Sequence, residues 1–190
     1  IPGSTPCLHH QFGFRSARST EDQLLLTYDY VSRELDTGKI VDVVLFDFAK
    51  AFDVVCHGLL LEKLRCIGVG GKLLTWLHEF LIGRVMHVVI KNTRSSARDV
   101  KSGVPQGSVL GPILFLIYIN HIAVDLTCRY KIFADDLKVY TCIDNSDVDH
   151  GSANMQADID HLHLTAKSWG LHMNSRKCAV IRFKRRSAVP

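Results

Sequence analysis

The sequence lacks the features that mark several common classes of protein. Its longest purely apolar run, Ile113 to Ile119, has seven residues, whereas a membrane-spanning helix needs about 20. The six cysteines include no C-x-x-C pair, which argues against a zinc knuckle and against a disulfide framework. No H-E-x-x-H metal motif and no Walker-type phosphate loop occurs. We therefore expect no membrane association, and reduced cysteines in an intracellular protein.

The composition is that of a globular domain with a modest positive charge. Of the 190 residues, 47% are hydrophobic and 22% are charged, which is enough to build a buried core. The net charge of +4 permits an anionic partner without requiring one. The chain begins with Ile1 rather than Met and ends at Pro190 just after a basic stretch. We interpret it as an internal piece of a longer polyprotein.

The first regular elements are predicted to be a helix and a buried strand. Thr20 followed by Gln23 fits a capping box, which predicts a helix over residues 19–37 with Gly38 in the left-handed position after its end. The segment IVDVVLFDF, residues 40–48, is β-branched and apolar almost throughout. This pattern is typical of a central strand that is buried on both faces.

The remaining elements alternate between helix and strand. Helices are expected at about 58–66, 72–81, 112–124 (with Pro112 at its first position) and 148–169, and strands at 84–91, 97–102, 130–133, 137–143 and 179–183. The strand at 97–102 is expected to pair with 84–91, and a very short acidic turn makes a hairpin of 130–133 and 137–143. The pattern predicts an α+β or mixed α/β fold, with an antiparallel sheet and helices packed on one face.

Three carboxylates stand at positions that strand geometry can bring together. Asp47 ends the buried strand, and Asp135 and Asp136 form the turn of the hairpin. Because neighbouring strand residues point to opposite faces, one of the adjacent pair can join Asp47. Clustered carboxylates raise one another's pKa unless a cation neutralises them, and hard divalent ions prefer oxygen ligands. An Asp-Asp turn alone also has a simpler explanation, because aspartate favours turns.

Four segments together resemble one known family. DFAKAFDVVCH (residues 47–57), SGVPQGSVLGPILFLIYIN (102–120) and FADDLKVY (133–140) resemble, in order and spacing, motifs A, B and C of reverse transcriptases. QFGFRSARST (11–20) is similar to the segment that precedes motif A in those proteins. The whole pattern is most similar to non-LTR, LINE-type retrotransposon reverse transcriptases, and it covers residues 11–183.

The resemblance implies a right-hand polymerase palm with part of the fingers. Residues 1–38 would form a partial fingers segment, and residues 39–190 would form the palm with motifs A to D. The early fingers motifs and the thumb are missing from this stretch of sequence.

The resemblance also implies a two-metal site. Asp47 and Asp135 would be the principal metal ligands, the backbone of Phe48 would help to hold the nucleotide-bound metal, and Asp136 joins the site by its place in the motif. The segment WGLHMNSRKCAVIRF resembles motif D, in which Lys177 would approach the triphosphate and protonate the departing pyrophosphate. An exposed surface lysine is the alternative interpretation. The implied cofactor is a pair of Mg²⁺ ions, with Mn²⁺ able to substitute.

A second group of residues is implied to contact the nucleotide. Phe52 falls where the family has an aromatic gate that would clash with a ribose 2′-hydroxyl, which favours dNTP over NTP; a simple core aromatic is the alternative. Pro105, Gln106 and Gly107 resemble the motif B turn against the nucleotide and the templating base. Arg15 is expected to contact template or nucleotide, or else to be a structural partner of a helix end.

Other positions are expected to be local or to depart from the family. Asp53 is expected to hydrogen bond at the start of a helix, and His57 to be a cap or a surface group. His121 stands where the family commonly has Asp, and Phe133 where Tyr is commoner.

The function implied is that of an RNA-directed DNA polymerase that adds dNTP to a primer 3′-hydroxyl. The implied partners are an RNA template, a DNA primer and the remainder of a longer polyprotein with an endonuclease. The family places such a protein in the cytoplasm as a ribonucleoprotein and in the nucleus at the integration site. A group II intron-type reverse transcriptase is one alternative. A catalytically dead or domesticated relic that binds RNA or a protein partner is another.

Overall fold

The computed structural model describes residues 8–185. They divide into two compact units, residues 50–118 and residues 8–49 together with 119–185. Five of the cysteines are described, and all five are free thiols; Cys7 lies outside the described residues. No helix within this part of the chain is long and apolar enough to cross a membrane.

Five helices and eight strands follow one another along the described residues. The helices are α1 (Thr20–Asp36), α2 (His57–Cys66), α3 (Gly71–Leu81), α4 (Leu110–Ile119) and α5 (Val148–Ser168), after a short 3₁₀ turn at Leu8–His10. The strands are β1 (Ile40–Phe46), β2 (Val85–Met86), β3 (Val89–Ile90), β4 (Thr93–Arg94), β5 (Arg98–Asp99), β6 (Arg129–Phe133), β7 (Asp136–Ile143) and β8 (Ala179–Phe183).

The larger unit is built on a four-stranded antiparallel sheet in the order β6-β7-β1-β8. Strand β1 lies inside this sheet, and all but one of its residues are buried, as its continuous hydrophobicity predicts. Its register against β7 runs from Ile40 opposite Ile143 to Phe46 opposite Leu137. The predicted hairpin is also confirmed, because β6 and β7 are joined through a two-residue turn.

Helices lie against both faces of this sheet. On one face, Val31 of α1 packs with Val41, Val43 and Tyr140. Asp42 points to the other face, where its carboxylate accepts two hydrogen bonds from Arg182 of β8. Arg182 also contacts Ser152 of α5. The α+β fold with an antiparallel sheet is confirmed, but the helices are not confined to one face as the sequence led us to expect.

The ends of α1 show one correction to the predicted capping. The N-cap is Ser19, whose hydroxyl accepts a hydrogen bond from the Asp22 backbone N–H while the Asp22 carboxylate accepts one from the Ser19 N–H. The predicted pair of Thr20 and Gln23 is wrong by one residue, because Thr20 already has helical backbone geometry and cannot be the cap. Gly38 follows the C-cap with φ +83°, as predicted.

The smaller unit contains α2, α3, two short β-ribbons and α4. The expected strand over 84–91 is interrupted, because the Val88 N–H bonds to the Ser95 side chain instead of a ladder carbonyl. Its first part pairs with β5 as predicted, and its second part pairs with β4. Helix α4 ends at Ile119 instead of 124, because the Ile122 N–H bonds to the Ile119 carbonyl three residues back in a tighter turn.

Candidate active site

The three carboxylates lie at one end of the larger unit's sheet. Asp47 directly follows β1, Asp136 is the first residue of β7, and Asp135 occupies the hairpin turn together with Ala134. Carrying the register of β1 and β7 one residue further would place Asp47 opposite Asp136. Directly opposite strand residues share a face. Asp136 is therefore expected on the same face of the sheet as Asp47. The alternation of strand residues alone did not decide whether Asp135 or Asp136 shares that face.

The electrostatic environment of the hairpin carboxylates favours their neutral forms. Burial raises the pKa of Asp135 above its ordinary value, and the charges of Asp136 and Asp47 raise it further. Burial also raises the pKa of Asp136, with the charge of Asp47 as the second cause, while Lys138 and Lys177 act in the opposite direction. The two hairpin carboxylates and Asp47 thus repel one another through a partly desolvated space.

The segment that resembles motif D is hydrogen bonded to the end of β1. The Ala49 N–H donates to the His172 carbonyl and the Asn174 N–H donates to the Asp47 carbonyl, both at 2.8 Å. Buried Phe48 forms an isolated antiparallel bridge with Met173. Lys177 is consequently brought to the site, where its Nζ lies 3.3 Å from Oδ1 of Asp47. The lysine is largely exposed, but it is paired with the carboxylate that the sequence singled out.

The three carboxylates are the type of ligand that a hard divalent cation prefers, but their side chains do not lie close enough together to bind one in this structure. Carboxylate oxygens are the ligands that such ions prefer, and their mutual repulsion is relieved by a cation. Within residues 8–185, however, no three His, Cys, Asp or Glu side chains are grouped closely enough to hold a metal ion. Lys177 supplies the positive charge nearest to Asp47 in this structure.

A buried glutamine that the sequence did not single out holds the hairpin turn. Gln11 is fully buried, and its Oε1 accepts hydrogen bonds from the N–H groups of Gly13 and Ala134, at 2.8 and 2.9 Å. Its Nε2 donates to the Ala134 carbonyl and to Oδ1 of buried Asn120, both at 3.4 Å. Ala134 has φ +55°, an uncommon backbone conformation for a residue with a side chain. The Gln11 side-chain amide therefore hydrogen bonds to both the N–H and the carbonyl of Ala134, the residue before Asp135.

The same segment leaves no room for a side chain at Gly13. A Cβ added there would lie 2.4 Å from the Ala134 backbone nitrogen. The Phe12 N–H donates to the Ile132 carbonyl at 2.8 Å, so the segment runs beside β6. Arg15, predicted to contact template, nucleotide or a helix end, donates from one guanidinium nitrogen to the Gln11 carbonyl at 3.4 Å. This hydrogen bond connects Arg15 to the segment that supports the turn.

Phe52, the predicted gate, lies in the smaller unit and is half-buried. Its ring stacks on that of Phe115 in α4, with ring centroids 3.9 Å apart and an angle of 18° between the planes. Phe115 is fully buried, so it fixes the orientation of a ring that is itself still partly exposed. Such packing is compatible with a gate and also with the alternative of a core aromatic.

The motif B turn is hydrogen bonded to the second half of motif A. The Gly103 N–H donates to the Val55 carbonyl, and the Val104 N–H donates to the Phe52 carbonyl. Gly103 has φ +84°, and an added Cβ would lie 2.7 Å from the Asp53 carbonyl oxygen, so only glycine fits there.

The predicted nucleotide-binding residues Pro105, Gln106 and Gly107 form the exposed end of this turn. Pro105 is half-buried, whereas Gln106 and Gly107 are exposed. The Gln106 Nε2 donates to the Asp53 carboxylate at 2.6 Å. The expectation that Asp53 bonds at a helix start is therefore wrong, because α2 begins four residues later and has no side-chain cap. Instead, Asp53 orients the glutamine, a contact between distant residues that leaves no local pattern.

His57 also differs from its expected surface or capping role. It is the first residue of α2 and is buried. Its Nε2 lies 2.9 Å from the Gly103 carbonyl oxygen, to which Arg84 also donates at 2.7 Å. His57 and Arg84 together support the start of the motif B turn.

The fold and the acidic sheet end define a class of protein. An antiparallel sheet whose central strand and hairpin turn bring carboxylates to one end is the palm of a right-hand polymerase. The sequence model of the reverse transcriptase (RNA-dependent DNA polymerase) family matches residues 5–187. The chain belongs to this family, and membership implies dependence on a divalent metal ion in general.

Comparisons with individual proteins agree with this membership. The chain is 29% identical over 185 residues to the RNA-directed DNA polymerase from mobile element jockey of Drosophila melanogaster, covering 93% of this chain and 20% of that protein. It is 30% identical over 181 residues to the jockey polymerase of Drosophila funebris, covering 91% and 19%. The chain thus spans about a fifth of the length of these relatives.

A solved structure shares the fold. The apo telomerase from Candida tropicalis, truncated from its C-terminal domain, superposes with a TM-score of 0.67 at 14% identity, covering 95% of this chain and 37% of that chain. At this identity the likeness concerns the fold alone, and it supports the polymerase palm fold that the sequence predicts.

Replacing Gln11 with Leu should destabilise the hairpin turn. The buried N–H groups of Gly13 and Ala134 would lose their acceptor, which costs about 2–4 kcal/mol of the free energy of unfolding. Urea denaturation measures this loss, and faster amide hydrogen exchange at Ala134 locates it. The matched control is Gln156→Leu, at an exposed position in α5. A free energy of unfolding within about 0.5 kcal/mol of the original, with unchanged exchange at Ala134, would contradict the role of Gln11.

Replacing Asp135 or Asp136 with Asn should stabilise the chain at neutral pH without divalent ions. The folded-state pKa of both groups is raised, so their charged forms lower the free energy of unfolding. This loss is absent below the unfolded pKa of about 3.9 and grows as pH rises through the folded pKa. We expect a gain below about 1 kcal/mol at pH 7, since solvent screens these partly exposed groups, and none at pH 3. Urea denaturation at both pH values checks the sign, with exposed Asp149→Asn as the control.

Proposed function

We propose that this chain is the palm, with part of the fingers, of an RNA-directed DNA polymerase of the non-LTR retrotransposon type. The observation that carries the proposal is the sheet end that holds Asp47 and the two hairpin carboxylates, because three acidic groups that repel one another are unfavourable there unless a cation neutralises them. The reaction would be attack of a primer 3′-hydroxyl on the α-phosphate of a dNTP, with pyrophosphate as the leaving group.

Asp47, Asp135 and Asp136 would hold two Mg²⁺ ions together with the backbone of Phe48, and Mn²⁺ would substitute. When bound, such ions lower the pKa of the attacking hydroxyl and neutralise the leaving oxygens. The chain's own contribution is to fix the positions of the carboxylates. Asp47 is positioned by β1 and by the backbone hydrogen bonds to residues 172–174. Asp135 is positioned by the hydrogen bonds of the Gln11 amide to Ala134.

Lys177 would change partners during the reaction. Its ammonium group pairs with Asp47 in this structure, and ions held by the same carboxylate would compete with that pair. A released lysine carries a proton and a positive charge that suit a departing pyrophosphate. Its exposure permits this movement, since 66% of its side chain is accessible to solvent.

Nucleotide selection would rest on the smaller unit. Phe52, stabilised by stacking on Phe115, has no hydrogen-bonding group to offer a ribose 2′-hydroxyl and would exclude it by contact. Pro105, Gln106 and Gly107 would contact the nucleotide and templating base. The Asp53 carboxylate accepts a hydrogen bond from one N–H of the Gln106 Nε2, so the amide carbonyl and the second N–H are left to interact with a ligand.

The partners of the whole protein follow from the same proposal. They would be an RNA template, a DNA primer, dNTP and the remaining parts of a longer polyprotein, including an endonuclease, acting in a cytoplasmic ribonucleoprotein and at the nuclear integration site. Arg15 would contact template or nucleotide. A catalytically dead relic is not favoured by any contact, since all three carboxylates are present.

Primer extension on an RNA template with Mg²⁺ and dNTP tests the proposal. The longer protein that contains this segment should extend the primer, and Asp135→Asn should slow extension by at least about a hundredfold, because a charge that stabilises the transition state is removed. Exposed Asp149→Asn is the matched control. Equal extension by Asp135→Asn and the unaltered protein would overturn the assignment.

Replacing Phe52 with Ala should relax the choice of sugar. The efficiency of rNTP incorporation relative to dNTP should rise by roughly ten- to a hundredfold, because a contact that rejects one hydroxyl has about that effect. Phe80→Ala, which alters another stacked ring of the smaller unit, is the control. Unchanged discrimination in the Phe52 variant would assign this ring to the core alone.

A further inference from the structure

The net charge of the whole chain is concentrated in one short stretch, residues 84–101, which we call the basic ribbon. It contains five of the 23 basic residues of the chain and one of the 19 acidic residues, so its net charge is +4. The other 172 residues contain 18 of each sign and carry no net charge. The five basic residues are Arg84, Lys91, Arg94, Arg98 and Lys101.

The basic ribbon is exposed along nearly its whole length. Every residue from 85 to 99 is exposed, and five of these are large apolar side chains with 57–69% of their surface accessible: Val85, Met86, Val88, Val89 and Ile90. Isolated exposed apolar residues are ordinary, but a contiguous run of this kind marks an interaction surface.

Cationic and apolar side chains face each other across the basic ribbon. Arg98 lies directly opposite Met86, and Arg94 lies opposite Val89. Within residues 8–185, the charged groups of Lys91, Arg94, Arg98 and Lys101 form no ion pair. Four cations that form no ion pair among the described residues, on an exposed surface, are complementary to a polyanion.

The base of the basic ribbon borders the candidate nucleotide-binding turn. A cavity of about 780 Å³ in the smaller unit is lined by Arg84 and Lys101 of the basic ribbon, by Lys50, and by Pro105 and Gln106 of the motif B turn. A long anionic ligand that reached this turn could therefore continue along the basic ribbon without leaving the surface of one unit.

We infer that the basic ribbon is a docking surface for the sugar-phosphate backbone of a nucleic-acid duplex. It contains no Phe, Trp or Tyr, and His87 is its one aromatic ring, so it lacks the succession of aromatic platforms on which unpaired bases stack. Its unpaired cations suit phosphates, and its apolar side chains suit the sugar edges between them. The binding would depend on backbone and shape, with little dependence on base sequence.

This inference rests on the proposed function only for the choice of a hybrid duplex as the ligand. Binding can be measured without catalysis, so the inferred docking surface and the proposed function can be contradicted separately. Asp135→Asn should slow extension by at least about a hundredfold and leave duplex affinity intact, whereas changes in the basic ribbon should reduce affinity itself.

The experiment measures fluorescence anisotropy of a labelled RNA–DNA hybrid duplex against the 190-residue chain at several salt concentrations. The variant is Arg94→Gln with Arg98→Gln. The matched control is Arg65→Gln with Lys72→Gln, which removes the same charge at exposed helical positions of the same unit. Circular dichroism checks that each variant is folded.

We expect the ribbon variant to bind about tenfold more weakly and its slope of log affinity against log salt to fall by about 2, because two phosphate contacts are lost. The control should change neither value. An equal loss in both variants would show that overall charge is responsible and would overturn the inference. So would tighter, ribbon-dependent binding to phosphatidylserine vesicles or to single-stranded DNA than to the duplex.

Discussion

The pairing of β1 on both of its edges is the constraint on which the candidate site depends. Strand β1 lies between β7 and β8 and is buried on both faces, so it cannot slip without moving every side chain to the opposite face. The ion pair between Asp42 and Arg182 fixes the register on the β8 side, since these residues stand directly opposite each other. Asp47 follows β1 immediately, so its position is a consequence of that register.

The site accepts locally unfavourable features that the surrounding structure supports. Asp135 and Asp136 are brought near Asp47 against their mutual repulsion, and Ala134 is held with a positive φ. Each feature lowers the stability of the fold, and each is offset by a specific contact. Lys177 forms an ion pair with Asp47, and the Gln11 amide hydrogen bonds to the backbone of Ala134. Unfavourable charge and backbone geometry concentrated at one sheet end are typical of a functional site.

The sequence predicted those parts of the structure that are written in local patterns. The buried strand β1, the hairpin and the bounds of most helices follow from periodicity and turn chemistry. The roles of Gln11 and His57 did not, because each depends on a contact with a residue far along the chain: 123 positions away for Gln11 and 46 for His57. The early end of α4 also could not be predicted from a local pattern, since Asn120 just beyond it is a buried hydrogen-bond partner of Gln11.

Taken together, the proposed metal site and the proposed docking surface assign different tasks to the two units. A site built on carboxylates repels a polyanionic substrate until cations are bound, so attraction has to come from elsewhere in the chain. A net charge of +4 spread evenly over the surface would act weakly, because salt screens charges beyond about 8 Å at physiological ionic strength. Residues 84–101 instead carry all of that net charge on one largely exposed stretch of 18 residues. Under the two proposals, attraction of nucleic acid and coordination of metal would not compete for the same side chains.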